Sequence, residues 1–373
     1  MSENKELYCY GCGAKLQSHN ENMEGYVQKS VLEKAGRRAL CKRCHNIRNH
    51  NIKMDAPLMN DDYIKILKEA DSNDCLIVYV LDIFNFKTSM IDEITKYIKN
   101  NKFLVVLNKL DLLPKSIKTK KLIDYAISHL NLGDRVLDVV VTSATKKYNI
   151  DELLEKINMY REGKDVYLIG SANVGKSSLV NEILKNYKNT SDNLITISAF
   201  PGTTLRTIRI PLDNTSYIFD TPGIIDAKCI WNAVDDRILK YILPKKEIKP
   251  VSFQIYSNQS IYFGGLGRMD IQVNKRVSAT FYMSNFITLH RTKTDKADEK
   301  YATLVKTKDF GPLSNNLMSI DQFEKRVIHI GDMPKCDVVI NGLGFITLRG
   351  FANLDLTFLL PPDVNVTVED SMI

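Results

Sequence analysis

The run Gly170-Ser-Ala-Asn-Val-Gly175-Lys176-Ser177 constrains this chain more than any other feature. It fits G-x4-G-K-[ST], a loop that functions only between a buried strand and a helix. Both flanks have the right pattern: DVYLIG (165–170) reads as a strand and SSLVNEILKNY after it as a helix. Backbone N–H groups of such a loop converge on a β-phosphate at a helix N-terminus, where the dipole also favours anions. Gly170, Asn173, Val174 and Gly175 would form the cradle, with Ser178 in the first turn behind it. Lys176 would neutralise the β- and γ-oxygens, and Ser177 would offer a hydroxyl to Mg²⁺.

The surrounding pattern extends the loop into a layered domain. DCLIVYVLD (74–82), KFLVVLN (102–108) and VLDVVVTS (136–143) read as further buried parallel strands. Helical apolar spacing falls around 90–100, 117–130 and 150–161, which makes this an α/β fold. TIRIPLDNTSYIFD (207–220) predicts an antiparallel edge hairpin turning at Asp213-Asn214. Asp220-Thr-Pro-Gly223 closes that hairpin. There Asp220 can reach Mg²⁺ through water, and the Gly223 amide can follow a γ-phosphate. Upstream, Pro201-Gly202-Thr203-Thr204 offers Thr204 as a second hydroxyl for the same ion, in a polar stretch suited to a switch.

Base choice is read from two strand ends. Asn108-Lys109-Leu110-Asp111 follows a buried strand, and an Asp there can accept from guanine N1–H and the 2-amino group together. Adenine would leave that carboxylate unpaired. Asn108 would bond the base's other edge and Lys109 would lie along the ring. Ser143-Ala144 can present the Ala144 N–H to guanine O6. An Asn/Asp turn after a strand is the other reading of N-K-x-D alone; its pairing with Ser-Ala about 30 residues later favours guanine.

The order of these parts is inverted relative to most GTPases. The guanine motifs (108–111, 143–144) precede the phosphate motifs (170–177, 203–204, 220–223), so the domain is circularly permuted. The γ-phosphate-sensing D-T-P-G then leads directly into WNAVDDRILKYIL (231–243), read as a short amphipathic helix. A charged linker, KKEIKP (245–250), follows. Residues 251–373 are rich in β-branched and aromatic residues with Gly-rich turns at 264–267 and 342–344, a strand-rich domain.

At the other end, Cys9-x2-Cys12 and Cys41-x2-Cys44 are separated by 28 residues, the spacing of a tetrahedral Cys₄ zinc site. His45 reads as a phosphate or surface contact rather than a fifth donor. Cys75, Cys229 and Cys336 are isolated and read as core thiols. The expected domains are therefore 1–54, a zinc module; 55–225, the permuted nucleotide domain; and 226–373, a domain for RNA or ribonucleoprotein.

Composition sets the partner class. The chain has 373 residues, 44% hydrophobic and 25% charged, and a net charge of +7. Residues 1–54 carry +5 and residues 228–308 carry +8, whereas residues 309–373 carry −5. Basic flanks around a neutral middle suggest an anionic partner, a solvated lysine surface being the bland alternative. Lys275, Arg276, Arg291, Lys293 and Lys296, interleaved with Tyr256, Tyr262, Phe281, Tyr282 and Phe286, are candidates for an RNA-facing patch or simply strand core. No run reaches the roughly 18–20 apolar residues of a membrane span. The start, MSENKELYCY, has no apolar h-region, so a reducing cytoplasmic location is expected. Nothing in the sequence specifies an oligomeric state.

Taken together, the chain resembles the YqeH family of circularly permuted GTPases over essentially its whole length. The carriers are Cys9-Tyr-Gly-Cys12-Gly-Ala-Lys-Leu-Gln17, Cys41-Lys-Arg-Cys44, Asp82-Ile-Phe-Asn-Phe-Lys-Thr-Ser89, the permuted motifs and Gly264-Gly-Leu-Gly-Arg-Met-Asp270. His45-Asn-Ile-Arg-Asn-His50 departs from the family's pattern. The resemblance implies GTP and GDP as ligands, Mg²⁺, an N-terminal Zn²⁺ and a role in small ribosomal subunit assembly through rRNA or ribonucleoprotein. Ile224 stands where many GTPases carry a water-orienting Gln, so intrinsic hydrolysis is expected to be slow. Asn173 matches the Asn that helps hold K⁺ in related potassium-dependent GTPases; shaping the loop alone is the other reading.

Overall fold

The protein is described here from a computed structural model covering residues 7, 15–20, 25–35, 39, 41, 60–190, 208–224, 226–307, 311 and 314–373. Near the N-terminus, Leu16, Val27, Ala39 and Cys41 are buried together, with Leu32 of α1 (Lys29–Ala35) packed against them. Cys9, Cys12 and Cys44 lie outside the described residues, as does Thr204.

Helix α2 (Asn60–Ser72) leads into β1 (Cys75–Asp82), the centre of a six-stranded sheet. Every β1 residue is buried, and alternate side chains enter opposite layers. Ile77, Tyr79 and Leu81 join one core, Leu76, Val78 and Val80 the other. Between β1 and β2 (Phe103–Asn108) lie only two single-turn helices, α3 (Phe86–Ser89) and α4 (Ile94–Tyr97), where spacing predicts a longer helix around 90–100. Ile91, Ile94 and Ile98 are all buried at that spacing. The helix is nonetheless interrupted, because Glu93 is left-handed (φ 53°) and the Ile91 N–H is taken by Tyr79 Oη at 2.7 Å.

The remaining elements follow the expected alternation: α5 (Thr119–His129), β3 (Val136–Val141), α6 (Ile150–Arg161), β4 (Asp165–Ile169) and α7 (Lys176–Thr190). Helix α6 has Asp151 and Glu152 in its first turn and Arg161 in its last, matching its dipole, and buries Ile150, Leu153 and Ile157. The hairpin is β5 (Ile208–Pro211) with β6 (Tyr217–Asp220). Asp213 shapes its turn by accepting from the Thr215 and Ser216 amides and pairing with Arg161 at 2.8 Å. Sheet order is β3-β2-β1-β4-β6-β5, parallel except for the β5–β6 pair. Register sets Asp82 beside Asn108 and Leu168 beside Asp220, so the functional segments meet at the carboxyl edge.

The segment read as one helix over 231–243 is split. A 3₁₀ turn spans Ile230–Asn232, and α8 runs Asp236–Ile242. Asp235 is extended between them, its Oδ2 accepting from Ser314 Oγ (3.0 Å) and the Asn315 N–H (2.9 Å). The stretch 245–250, read as a linker, is fastened to the nucleotide domain. Ile248 is buried in that domain's core and its N–H donates to the Leu112 carbonyl at 2.9 Å.

Beyond it two five-stranded antiparallel sheets face each other. Their strands are β7 (Val251–Ile255), β8 (Gln259–Phe263), β9 (Arg268–Ile271), β10 (Val277–Met283) and β11 (Leu289–Lys293), then, after α9 (Ala297–Thr307), β12 (Glu324–Ile330), β13 (Lys335–Ile340), β14 (Gly344–Arg349), β15 (Leu354–Leu360) and β16 (Val366–Asp370). One sheet is ordered β16-β13-β14-β10-β7, the other β11-β8-β9-β15-β12, with a continuous apolar core between them. No described helix is long and apolar enough to cross a membrane.

Candidate functional site

The loop 170–177 sits at the carboxyl end of β4 and opens α7. Gly170 (φ 154°) has no room for a side chain, since a Cβ would fall 2.3 Å from the Val80 carbonyl oxygen. Tyr63 of α2 buttresses this residue from behind: its hydroxyl accepts from the Gly170 N–H (3.2 Å) and donates to the Gly170 carbonyl (3.4 Å). Burial pushes the Tyr63 phenol up to about 12, so it keeps its proton and can serve both bonds. Ser171 Oγ donates to the Ser89 carbonyl (2.9 Å), tying the loop to the segment after β1. Asn173 is left-handed (φ 62°) and exposed, while Val174 is buried.

Lys176 is buried and donates to the Gly170 and Ser171 carbonyls at 2.7 and 2.9 Å. Burial pushes its ammonium down to about 8, opposed by the Asp220 charge. Ser177 Oγ donates to Asp220 Oδ2 at 2.9 Å, whereas Asp220 Oδ1 is buried with no hydrogen-bond partner among the described residues. Burial also raises the Asp220 carboxyl above the usual carboxylate range. A hydroxyl and a carboxylate with an unused buried lone pair form a hard-oxygen set that suits a magnesium ion. Ser178 is exposed in the first turn of α7.

Gly223 lies against the loop. A Cβ there would meet Ala172 N and Cα at 2.6 Å, so only glycine lets these two backbones touch. The contact is sealed by the Ala172 N–H donating to the Ile224 carbonyl at 2.7 Å. Thr221 is anchored to β4 through its hydroxyl, 2.6 Å from the Leu168 carbonyl oxygen.

The base-side residues converge on the same edge. Asp111 Oδ1 accepts from Ser143 Oγ at 2.5 Å. Asn108, read from the sequence as bonding the base's other edge, has its amide engaged within the site. Nδ2 donates to the Val174 carbonyl (2.9 Å), and Oδ1 accepts from Thr142 Oγ1 and from the Ala144 N–H, both at 3.2 Å. It therefore clamps the two halves of the site together, and Gly175 (φ 97°) is the position that makes room for it. Lys109 is left-handed (φ 70°) and pairs with Asp82 at 2.9 Å.

Sequence reading misses Tyr63, and it gives Asp82 and Ser89, which bound one of the runs singled out there, no role at the site. Asp82 accepts four bonds, from the Phe84 and Asn85 amides, Asn85 Nδ2 and Lys109 Nζ. Its sequence signal is an acid ending a fully apolar strand. Of the cysteines, Cys41 is buried, and among the described residues no cluster of three or more potential metal ligands occurs. Cys75, Cys229 and Cys336 are buried.

From the Asp220–Gly223 segment the chain passes straight onto the C-terminal sheets. Asn341, in the turn between β13 and β14, donates to Asp226 Oδ2, and its Oδ1 accepts from Thr88 Oγ1 at 2.7 Å. Its carbonyl accepts from the Ile230 N–H (3.0 Å), and Trp231 Nε1 donates to the Gly342 carbonyl (2.7 Å). Gly342 (φ 78°) is pressed so closely that a Cβ would lie 2.1 Å from Cys229 Sγ.

Residues 60–229 match the RsgA GTPase family, and residues 276–372 match the C-terminal region of YqeH-like proteins. The uncharacterized protein YqeH of Bacillus subtilis (strain 168) is 38% identical over 375 residues, spanning 99% of this chain and 100% of that one. A putative nitric oxide synthase of Oryza sativa subsp. japonica is 27% identical over 381 residues, 91% of this chain and 69% of its own. Among solved structures, GNP-bound YlqF from T. maritima overlaps 48% of this chain and 66% of that chain, at 20% identity and a TM-score of 0.31.

Proposed function

The chain belongs to the YqeH family and is a GTPase, and from that premise we propose that it assists assembly of the small ribosomal subunit, its nucleotide state setting its grip on rRNA or ribonucleoprotein. The observation that carries this reading is the junction after Gly223. Ile224 is bonded to the phosphate loop, and two residues later Asp226 is bonded to Asn341 of the C-terminal sheets. A displacement of Gly223 by a γ-phosphate has almost no chain in which to dissipate.

In the proposed chemistry, Asp111 accepts from guanine N1–H and the 2-amino group, exchanging its bond from Ser143. Ala144 exchanges its bond to Asn108 Oδ1 for one from its N–H to O6, and Lys109 flanks the base while held by Asp82. Loop amides 170–177 cradle the β-phosphate, and Lys176 turns from its own loop carbonyls to the phosphate oxygens. Ser177, Thr204 and, through water, Asp220 are the proposed holders of Mg²⁺, which when bound neutralises charge on the phosphates. Ile224 provides no group to orient water, so turnover is slow until a ribosomal partner or K⁺ beside Asn173 supplies the missing stabilisation. Cys9, Cys12, Cys41 and Cys44 are proposed to hold a structural zinc on the strength of their spacing.

Ile224 also favours a second reading, a nucleotide-gated RNA-binding protein with negligible turnover. Multiple-turnover phosphate release with and without small subunits and K⁺ separates the two. Co-sedimentation with small subunits that differs between GDP and a non-hydrolysable GTP analogue is the expected result for the main proposal. No pelleting in either state contradicts it.

A further inference from the structure

We infer that the outer face of the sheet β16-β13-β14-β10-β7 is a binding surface for an unpaired RNA segment, with Lys335, Arg349 and Arg276 on its phosphates and Tyr256 under a base. This rests on the ribonucleoprotein reading above and assigns it a surface.

Alternation divides the two faces of this sheet. Val277, Ala279 and Phe281 of β10, with Ile346 and Leu348 of β14, enter the core between the sheets. Residues between them point outward. At one end of the outward face, Tyr282, Phe345 and Val339 pack on the nucleotide domain, the Tyr282 and Phe345 rings stacked 4.6 Å apart. The other end is open. There the register aligns Gln254, Ser278, Arg349 and Lys335 in a single row across β7, β10, β14 and β13. Gln254 Nε2 donates to Ser278 Oγ at 3.1 Å, confirming the shared face. Arg276 extends the row: its Nε donates to Gln254 Oε1 (2.8 Å) and its guanidinium lies 5.8 Å from the centre of the Tyr256 ring. Tyr256 itself is 65% exposed.

The acids on this face are engaged: Glu369, level with Asp337 in the register, pairs with Lys87 at 3.4 Å. Between Glu247 and Asp295 the sequence holds one acid, Asp270, and Arg268 takes it at 2.8 Å. Among the described residues none of Arg276, Lys335 and Arg349 forms an ion pair. Asp337, next but one to Lys335, is buried and occupied by Thr347 Oγ1, Ser371 Oγ and the Met372 N–H. Lys335 is held below the usual lysine range by burial, then by the charges of Arg349 and of Lys121 on α5, against the opposing pull of Asp337. Lys121 and Arg349 are exposed and Lys335 is half-buried, so the three meet at the surface. Their crowding across the seam between two domains is what a polyanion relieves.

The aromatic decides which polyanion. A duplex offers phosphates but no free base face, whereas an exposed ring capped by a guanidinium is a stacking platform for an unpaired base. Because Lys121 comes from the nucleotide domain, the bound strand would touch both domains.

The test uses the full-length protein, fluorescence anisotropy and three probes: a labelled mixed-sequence single-stranded RNA, a duplex of equal length and an acidic peptide. Lys335→Ala/Arg349→Ala should weaken single-strand binding about tenfold and flatten its log–log salt slope by about 1.4. Tyr256→Ala should weaken it about tenfold with the slope unchanged. Both variants should keep wild-type affinity for GTP and wild-type melting temperature, and Arg349→Lys/Tyr256→Phe should retain most of the binding. Equal binding by wild type and variants, equal or better binding of duplex, or binding of the acidic peptide in place of RNA overturns the surface. If wild type pellets with small subunits nucleotide-dependently while the variants pellet equally and bind the oligonucleotide equally, the surface is wrong and the assembly role stands. If wild type pellets with no subunits, it is the assembly role that fails.

Discussion

Lys176 carries the charge most at odds with its surroundings. Its ammonium is buried, bonded to two carbonyls of its own loop and pushed down to about 8. A triphosphate restores the full charge, so the bound pKa lies above the free one. The sign follows: below about pH 8 the free protein already carries the proton, and above it binding must take one up. Affinity should therefore weaken as pH rises through 8, and calorimetry in buffers of different ionisation heat should report uptake approaching one proton near about pH 9. Pairing at the base is equally testable. Asp111→Asn replaces an acceptor by a donor, and GTP affinity should fall on the order of 100-fold while xanthosine triphosphate gains, measured by competition. These residues stand out in the sequence because the proposed chemistry requires their type at their spacing. What motif spacing does not reveal is that Thr142, Ala144 and Val174 engage the Asn108 amide, tying the base side of the site to the phosphate loop. Tyr63 could not be read at all, since one tyrosine on an apolar helix face has no local signature.

At the level of elements, the fully buried strands β1 and β2, and β4 buried from Val166 on, could be read from sequence, because a continuous apolar run of that length has few other uses. Helices fared unevenly for a physical reason. The apolar spacing over 90–100 and 231–243 marks residues that are indeed buried, yet tertiary bonds to Ile91 and Asp235 interrupt the helical ladder. The strap at 245–250 illustrates the opposite error: three lysines and a glutamate conceal one buried isoleucine. Ile248 fills the nucleotide-domain core at 1% exposure and donates to Leu112, only one residue beyond Asp111. Ile248→Ala should cost about 2–5 kcal/mol in denaturant unfolding. It should also weaken guanine binding modestly by loosening the Leu110–Leu112 turn. A variant with wild-type stability would mean that the strap is passive.

On the scale of the whole molecule, charge and motif order carried most of what was legible: a neutral centre, basic flanks and a permuted site opening onto the last domain. The seam between domains was not legible, because it is built from pairs far apart in sequence. Thr88 with Asn341, Lys87 with Glu369 (3.4 Å) and Phe84 with Phe345 (ring centres 6.0 Å apart) bind the first strand's loop to the last sheet. Asn341 is where this seam meets the segment leaving Gly223. If nucleotide state is transmitted, it must disturb that residue's bonds. Amide hydrogen exchange at Ile230 and Asn365, whose N–H groups bridge the two sides to the Asn341 and Lys228 carbonyls, and at Asn341, whose N–H links them through Asn365, measures this directly. The account predicts different protection at these amides with GDP and with a non-hydrolysable GTP analogue, and loss of that difference in Asn341→Ala. Identical protection in the two nucleotide states, with both nucleotides bound, would contradict it.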